Sequence, residues 1–164
     1  MNEIVIRRDY VPGAIGRVVE LHGTYYHEHW GFGAFFEAKV AGGLAEFINR
    51  YDNQRDGFWT AAINSRVEGA ITIDGLHAAH EGAHLRWFVM SDALRGQGVG
   101  KRLIGTAIDF CRSRKYPRLF LWTFEGLHAA RHLYEQAGFL LVEQHRGAQW
   151  GTEVLEQRFE LSLT

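Results

Sequence analysis

The amino-acid sequence predicts an α/β fold with a sheet of about seven strands and helices on both faces. Three observations carry that prediction. Residues 85–114, LRWFVMSDALRGQGVGKRLIGTAIDFCRSR, pass from an apolar strand through a glycine-rich turn into an amphipathic helix. Leu119-Phe120-Leu121-Trp122 is apolar at every position, as in a strand covered on both faces. The remaining segments alternate in the order β-α-α-β-β-β-α-β-α-β-β, which suits one layered domain spanning 1–164.

Glu3 to Arg8 alternates as a short strand, and Tyr10-Val11-Pro12-Gly13 breaks it. Asp9 is placed to cap a helix over Ala14 to Leu21, which ends near Gly23. Thr24 to Gly33, TYYHEHWGFG, is aromatic, histidine-rich and poorly periodic, so it reads as a loop or an irregular helix end. Two explanations fit it equally: a plug between two helices, or the wall of an acceptor pocket. Phe35 to Tyr51 is a second helix with Phe36, Val40, Leu44, Phe47 and Ile48 as its stripe. Gly42-Gly43 weakens it by about 1 kcal/mol per glycine and marks a bend.

Phe58 to Asn64 and Val67 to Asp74 form a hairpin, with Gly69 as a bulge or a close backbone approach. A loop with His77 and His80 leads to the strand Ala83 to Met90. After the long helix come a strand from Arg118 to Thr123 and a helix from Leu127 to Gln136, closed by Gly138. Phe139 to Glu143 is a strand, Gln144 to Thr152 a loop, and Val154 to Leu163 the last strand.

Composition narrows the function. The formal net charge is −1, so no overall basic bias points to nucleic acid. No apolar run approaches the ~20 residues of a membrane helix, and the first ten residues lack the apolar core of a signal peptide. Cys111 is the single cysteine, on the inward stripe of the long helix; it reads as a small hydrophobe in a cytoplasmic protein.

The chemistry concentrates at Arg95-Gly96-Gln97-Gly98-Val99-Gly100-Lys101. The first N–H groups of a helix have no partner inside it, and the helix dipole makes that end positive. Glycines let a phosphate approach those groups, and Arg95, Lys101 and Arg102 add positive charge. A P-loop needs glycine where Arg95 stands and Ser or Thr where Arg102 stands. A dinucleotide fingerprint needs its third glycine one residue later than Gly100.

What remains, R-x-x-G-x-G on a strand-to-helix junction, resembles motif A of the GCN5-related N-acetyltransferases, the GNAT superfamily. Ala130-Arg131-His132-Leu133-Tyr134-Glu135-Gln136-Ala137-Gly138-Phe139 is similar to that family's A-x-x-L-Y-x-x-x-G-F segment. The stretch from Tyr25 to Ile48 also resembles the acetyltransferase half of bacterial proteins that fuse a MarR-type DNA-binding domain to a GNAT domain. The resemblance implies a mixed central sheet and an acetyl-CoA-dependent N-acetyltransferase acting directly on an amine. It implies that Phe88, Val89 and Met90 lend backbone groups to the pantetheine arm. Arg95, Gly96, Gln97, Gly98, Val99, Gly100 and Lys101 correspond to the pyrophosphate turn, and Tyr134 to the tyrosine that protonates the departing thiolate. A phenol suits that proton transfer by its acidity. Leu127 departs from the family, where asparagine is common at the matching place. That departure sustains an alternative, a CoA-binding or sensing module that transfers nothing.

No motif names the base. Glu28, His29, Glu81 and His84 are the candidates, with Arg86 on the face of His84 as a partner for an anionic substrate. The spacing of His77, His80 and His84 also admits a metal, but nothing else in the sequence supports one, and no metal is expected. The partner implied is a small-molecule or peptide amine, with neither nucleic acid nor membrane. Family members often pair as homodimers, and the resemblance carries that expectation.

Overall fold

The computed structural model describes residues 2–164. Seven strands form one mixed sheet: β1 (Ile4–Arg8), β2 (Gly57–Ile63), β3 (Arg66–Asp74), β4 (Ala83–Met90), β5 (Arg118–Phe124), β6 (Leu140–Gly147) and β7 (Val154–Ser162). Their spatial order is β1-β2-β3-β4-β5-β7-β6. All neighbours are antiparallel except β4 and β5. Helices α3 (Val99–Ser113) and α4 (His128–Gln136) cover one face; α1 (Ala14–Trp30) and α2 (Ala34–Asn49) cover the β1–β4 half of the other.

Alternation along the strands assigns the cores. Ile71, Ile73, Leu85, Leu119 and Leu121 pack against Leu103, Ile104, Ala107 and Cys111 of α3. Phe58, Val67, Ala70 and Val89 face Val18, Leu44 and Phe47 of α1 and α2. Cys111 is fully buried, and burial pushes its thiol up to about 12, so it is a packing residue.

The structure departs from the sequence reading in several places. Residues 24–30 are not a loop: α1 runs unbroken to Trp30 and stops at Gly31, whose φ of +70° forms the left-handed cap. Gly23 does not end that helix; α2 crosses there, and a Cβ would meet the Glu37 side chain. Asp9 does not cap α1. Gly13 holds the cap position, and Asp9 accepts the Tyr51 hydroxyl at 2.6 Å. Gly43 marks a close approach rather than a bend: a Cβ would lie 3.0 Å from Trp87. Both readings of Gly69 hold. The β2–β3 register shifts beside it, and a Cβ would lie 2.9 Å from Leu94. β6 continues to Gly147, shortening the loop before β7; it is an edge strand with Leu140, Leu141 and Val142 exposed.

Candidate active site

The site opens where the sheet splits. β4 and β5 pair only at Ala83↔Leu119 and His84↔Phe120. Beyond that point the strands part, leaving β4 backbone groups along the gap without a sheet partner. Such groups need a partner from water or a ligand. A bulge in β4 goes with the divergence. The β3–β4 register shifts between Ala70 and Thr72, and Trp87 has φ +48°, a conformation that costs a non-glycine residue roughly 1–3 kcal/mol. Alternation breaks there. Arg86 and Trp87 both face α2, where Gly43 makes room for them, and Phe88 returns to the α4 face against Tyr134 at 6.1 Å.

One end of the gap meets the N-terminus of α3. Gly96 and Gly98 have φ +74° and +73°, which only glycine adopts cheaply, and open space lies where their side chains would be. Gly98 offers no side-chain cap, so the first N–H groups of α3 stay free for an anion. Gly100 differs. A Cβ there would lie 2.9 Å from Leu133 and 3.0 Å from Met90, so its smallness lets α3 close on α4 and β4. Lys101 and Arg102 are exposed beside the turn. Arg95 is turned to Asp92 at 2.6 Å, and Gln97 to the Ala93 carbonyl at 2.9 Å. An open, positively biased turn feeding a gap edged by backbone suits a long phosphorylated thioester.

The other end of the gap is a cavity of about 190 Å³. Tyr134 is buried in its wall, its ring 5.9 Å from Phe139 and 6.3 Å from Phe159. Burial raises the phenol well above its usual value, with Tyr26 adding to the shift, so it stays protonated. Leu127 stands at the N-cap of α4 without a cap bond and lines the same cavity.

The far wall holds His22, which sequence reasoning missed, and Tyr26, from the segment that the sequence offered as a plug or a pocket wall. His22, Tyr26 and Trp30 recur at every fourth place on α1; His22 and Tyr26 face Phe36 and the cavity, and Trp30 packs edge-on against Phe124. That i, i+4, i+8 spacing was the available signal, hidden because Tyr25, His27 and His29 between them are also aromatic or titratable. His22 is 5% exposed; its Nδ1 lies 2.8 Å from the Val18 carbonyl, which leaves Nε2 for the cavity. Burial lowers its pKa to about 4, opposed by that hydrogen bond, so the ring is neutral near pH 7. Trp150 and Gln149, from the turn before β7, close the side; buried Glu156 holds that turn by accepting both Gln149 N–H groups, at 3.1 and 2.6 Å.

The four base candidates separate. His84 lines the cavity, stacked on Phe120 at 4.4 Å; burial, with Arg86 and Arg158 nearby, lowers its pKa to about 3. Glu28 and His29 are exposed on the last turns of α1, and Glu81 is exposed in the turn before β4; none of the three lines the cavity. His77 and His80 are exposed in the turn after β3, and neither lines the cavity.

A seven-stranded mixed sheet opening between its parallel pair, with a glycine turn at one end and a tyrosine-walled cavity at the other, defines an acetyltransferase-type fold. The family model described as the Acetyltransferase (GNAT) family matches residues 16–139, and the chain belongs to that family. Among curated relatives, it is 34% identical over 82 residues to the probable N-acetyltransferase camello of Xenopus laevis, covering 50% of this chain and 37% of the relative. It is 28% identical over 99 residues to N-acetyltransferase family 8 member 2 of Rattus norvegicus, covering 58% and 44%. The chain thus spans less than half the length of these relatives. Among solved structures, a GNAT-family acetyltransferase from Staphylococcus aureus Mu50 superposes with TM-score 0.78 at 16% identity, covering 99% and 100% of the two chains. An acetyltransferase from Salmonella typhimurium, solved with its cofactor acetyl-CoA, gives 0.77 at 15% identity, covering 99% and 95%. At these identities the likeness is one of fold.

Proposed function

We propose that this chain moves an acetyl group from acetyl-CoA directly to the nitrogen of an amine. The observation that carries the reading is the split between β4 and β5, with a glycine turn on α3 at one end and Tyr134 in the cavity at the other. The pyrophosphate lies against the turn from Arg95 to Lys101 and the free N–H groups of α3. The pantetheine arm lies in the gap beside Phe88, Val89 and Met90. Gly96 and Gly98 supply the approach, while Gly100 serves by packing. The bound thioester supplies an activated acetyl group; its C–S bond breaks as a C–N bond to the acceptor forms.

The chain supplies the two proton transfers. Tyr134 gives its hydroxyl proton to the departing sulfur. Both groups sit in one low-dielectric pocket, where burial raises the pKa of phenol and thiol alike, so their match survives burial. The attacking amine must shed a proton, and His22 is the base. Its Nδ1 is fixed on the Val18 carbonyl, which holds the unprotonated Nε2 toward the cavity. His84, the other unprotonated histidine of the wall, is held by its stacking on Phe120, and Glu28, His29 and Glu81 do not line the cavity.

Tyr134→Phe tests the reading. Turnover should fall about 100-fold or more, the usual worth of a general acid, while acetyl-CoA affinity by calorimetry stays within about threefold. Unchanged turnover would remove the acid role.

A further inference from the structure

The cavity wall contains no Asp or Glu side chain. Its charged members are Lys39 and Arg86, and its histidines, His22 and His84, are neutral near pH 7. An amine usually arrives as a cation, and a wall of this sign repels one. The acceptor must therefore bring negative charge of its own.

Arg86 is built to receive it. Its guanidinium stacks 4.0 Å from the Trp87 ring centroid, and Nη1 donates to Asp74 Oδ2 at 3.2 Å. Asp74 is shared: Arg50 takes both of its oxygens, at 3.0 and 2.7 Å, and also donates to Glu46 at 2.7 Å. Arg86 is thus oriented but only partly neutralised. Desolvation of this half-buried guanidinium pulls it below the usual arginine value, opposed by Asp74. Such a planar, pre-oriented fork suits a carboxylate. Lys39 stands on the same rim, its ammonium donating to the Gln149 carbonyl at 2.8 Å. The rest of the wall is aromatic, with Tyr26, Phe36, Trp122, Phe124 and Trp150 facing the space. Arg86 lies two residues along β4 before Phe88, whose ring meets that of Tyr134 at 6.1 Å.

Resting on the transferase reading above, we infer that the acceptor is a small amino carboxylate with an apolar side chain. Arg86 and Lys39 hold its carboxylate, and the aromatic wall takes its side chain. Polyamines and lysine-rich peptides are excluded by the same charges.

Thiol release from acetyl-CoA is to be measured with matched acceptors: phenylalanine and methionine against phenethylamine, with spermidine as the polycation. The carboxylates should be favoured at least tenfold in kcat/KM. Arg86→Gln should reduce that preference to within about threefold by raising KM for the carboxylates, and Arg86→Lys should restore part of it. Lys39→Gln, at an exposed position, gives a smaller loss without risk to the fold. Equal use of phenethylamine, or preference for spermidine, overturns the acceptor class and leaves the transferase reading standing. Acetylation of none of these by a chain that binds acetyl-CoA overturns both.

Discussion

The two ends of the split sheet are built on different principles. The α3 end is shaped by backbone: Gly96 and Gly98 bend it, Gly100 packs it, and the first N–H groups of α3 have no side-chain cap. Its polar side chains, Arg95, Gln97, Lys101 and Arg102, are exposed, and Arg95 and Gln97 bond only within the turn itself. The α1–α2 end works through side chains held in place by other side chains: His22 on Tyr26, Tyr26 on Phe36, Trp87 on Phe47, Arg86 on Asp74. Backbone binding requires glycine at fixed steps, and that leaves a pattern in a sequence. Side-chain binding requires only that residues from α1, α2, β4, β5 and the turn before β7 converge, and convergence leaves no local pattern. On the proposed function, a shared phosphorylated group is met by a fixed device, and a particular acceptor by an assembled one.

The sharpest way to break this contrast is His22→Gln. If the acceptor end supplies the base, turnover falls about 100-fold, equivalent to about 2.7 kcal/mol of transition-state stabilisation. Acetyl-CoA affinity, set at the other end, stays within about threefold. Stopped-flow acetylation alongside calorimetry reads both. A parallel loss of affinity would show that the two ends are not separable.

Legibility follows the same division. The strand from Ala83 to Met90, the glycine turn and the apolar β5 were readable because each carries a local signature: an apolar run, a glycine spacing, apolarity at every position. The segment from Thr24 to Trp30 was misread as irregular although it is helical. Its inward positions, Tyr26 and Trp30, continue from His22, and Tyr25, His27 and His29 between them flatten the contrast on which periodicity depends. The base candidates Glu28, His29 and Glu81 are exposed outside the cavity, and nothing local tells which face of an element a cavity lies on. The bulge at Trp87, which puts Arg86 and Trp87 on one face, has no sequence signature: φ is positive at a residue that disfavours it.

The acceptor end should also titrate. His22 is neutral in the folded chain with a pKa of about 4, against 6.5 for the free side chain. Between those values the unfolded chain binds a proton that the folded chain does not, so stability falls as pH drops below about 6.5 and levels off below about 4. At pH 5 the loss from His22 alone is about 2 kcal/mol. Urea melts at pH 7 and pH 5 should show a loss that His22→Gln reduces by about that amount. An unchanged pH dependence in the variant would mean that His22 is solvated. Asp74 acts lower. Burial opposes its ionisation, but the Arg50 pair outweighs it and brings the carboxyl to about 2. Its contribution is therefore present above pH 4 and is lost only as pH falls through about 2, outside the window in which His22 reports.

The smallest effect is expected where the two ends meet, at Leu127. This residue caps α4 without a hydrogen bond, and its side chain packs with the cluster of Phe32, Phe36 and Phe124. Asparagine at an N-cap adds about 1 kcal/mol to helix stability by accepting an orphan N–H. Removing leucine from a partly buried apolar contact costs about the same. Leu127→Asn should therefore leave the urea midpoint nearly unchanged while moving a polar group from the helix start toward the gap. If that group reaches the cofactor arm, KM for acetyl-CoA falls about two- to threefold with turnover unchanged. A change in acceptor KM instead would place Leu127 on the acceptor side and move the boundary between the two ends one turn along α4.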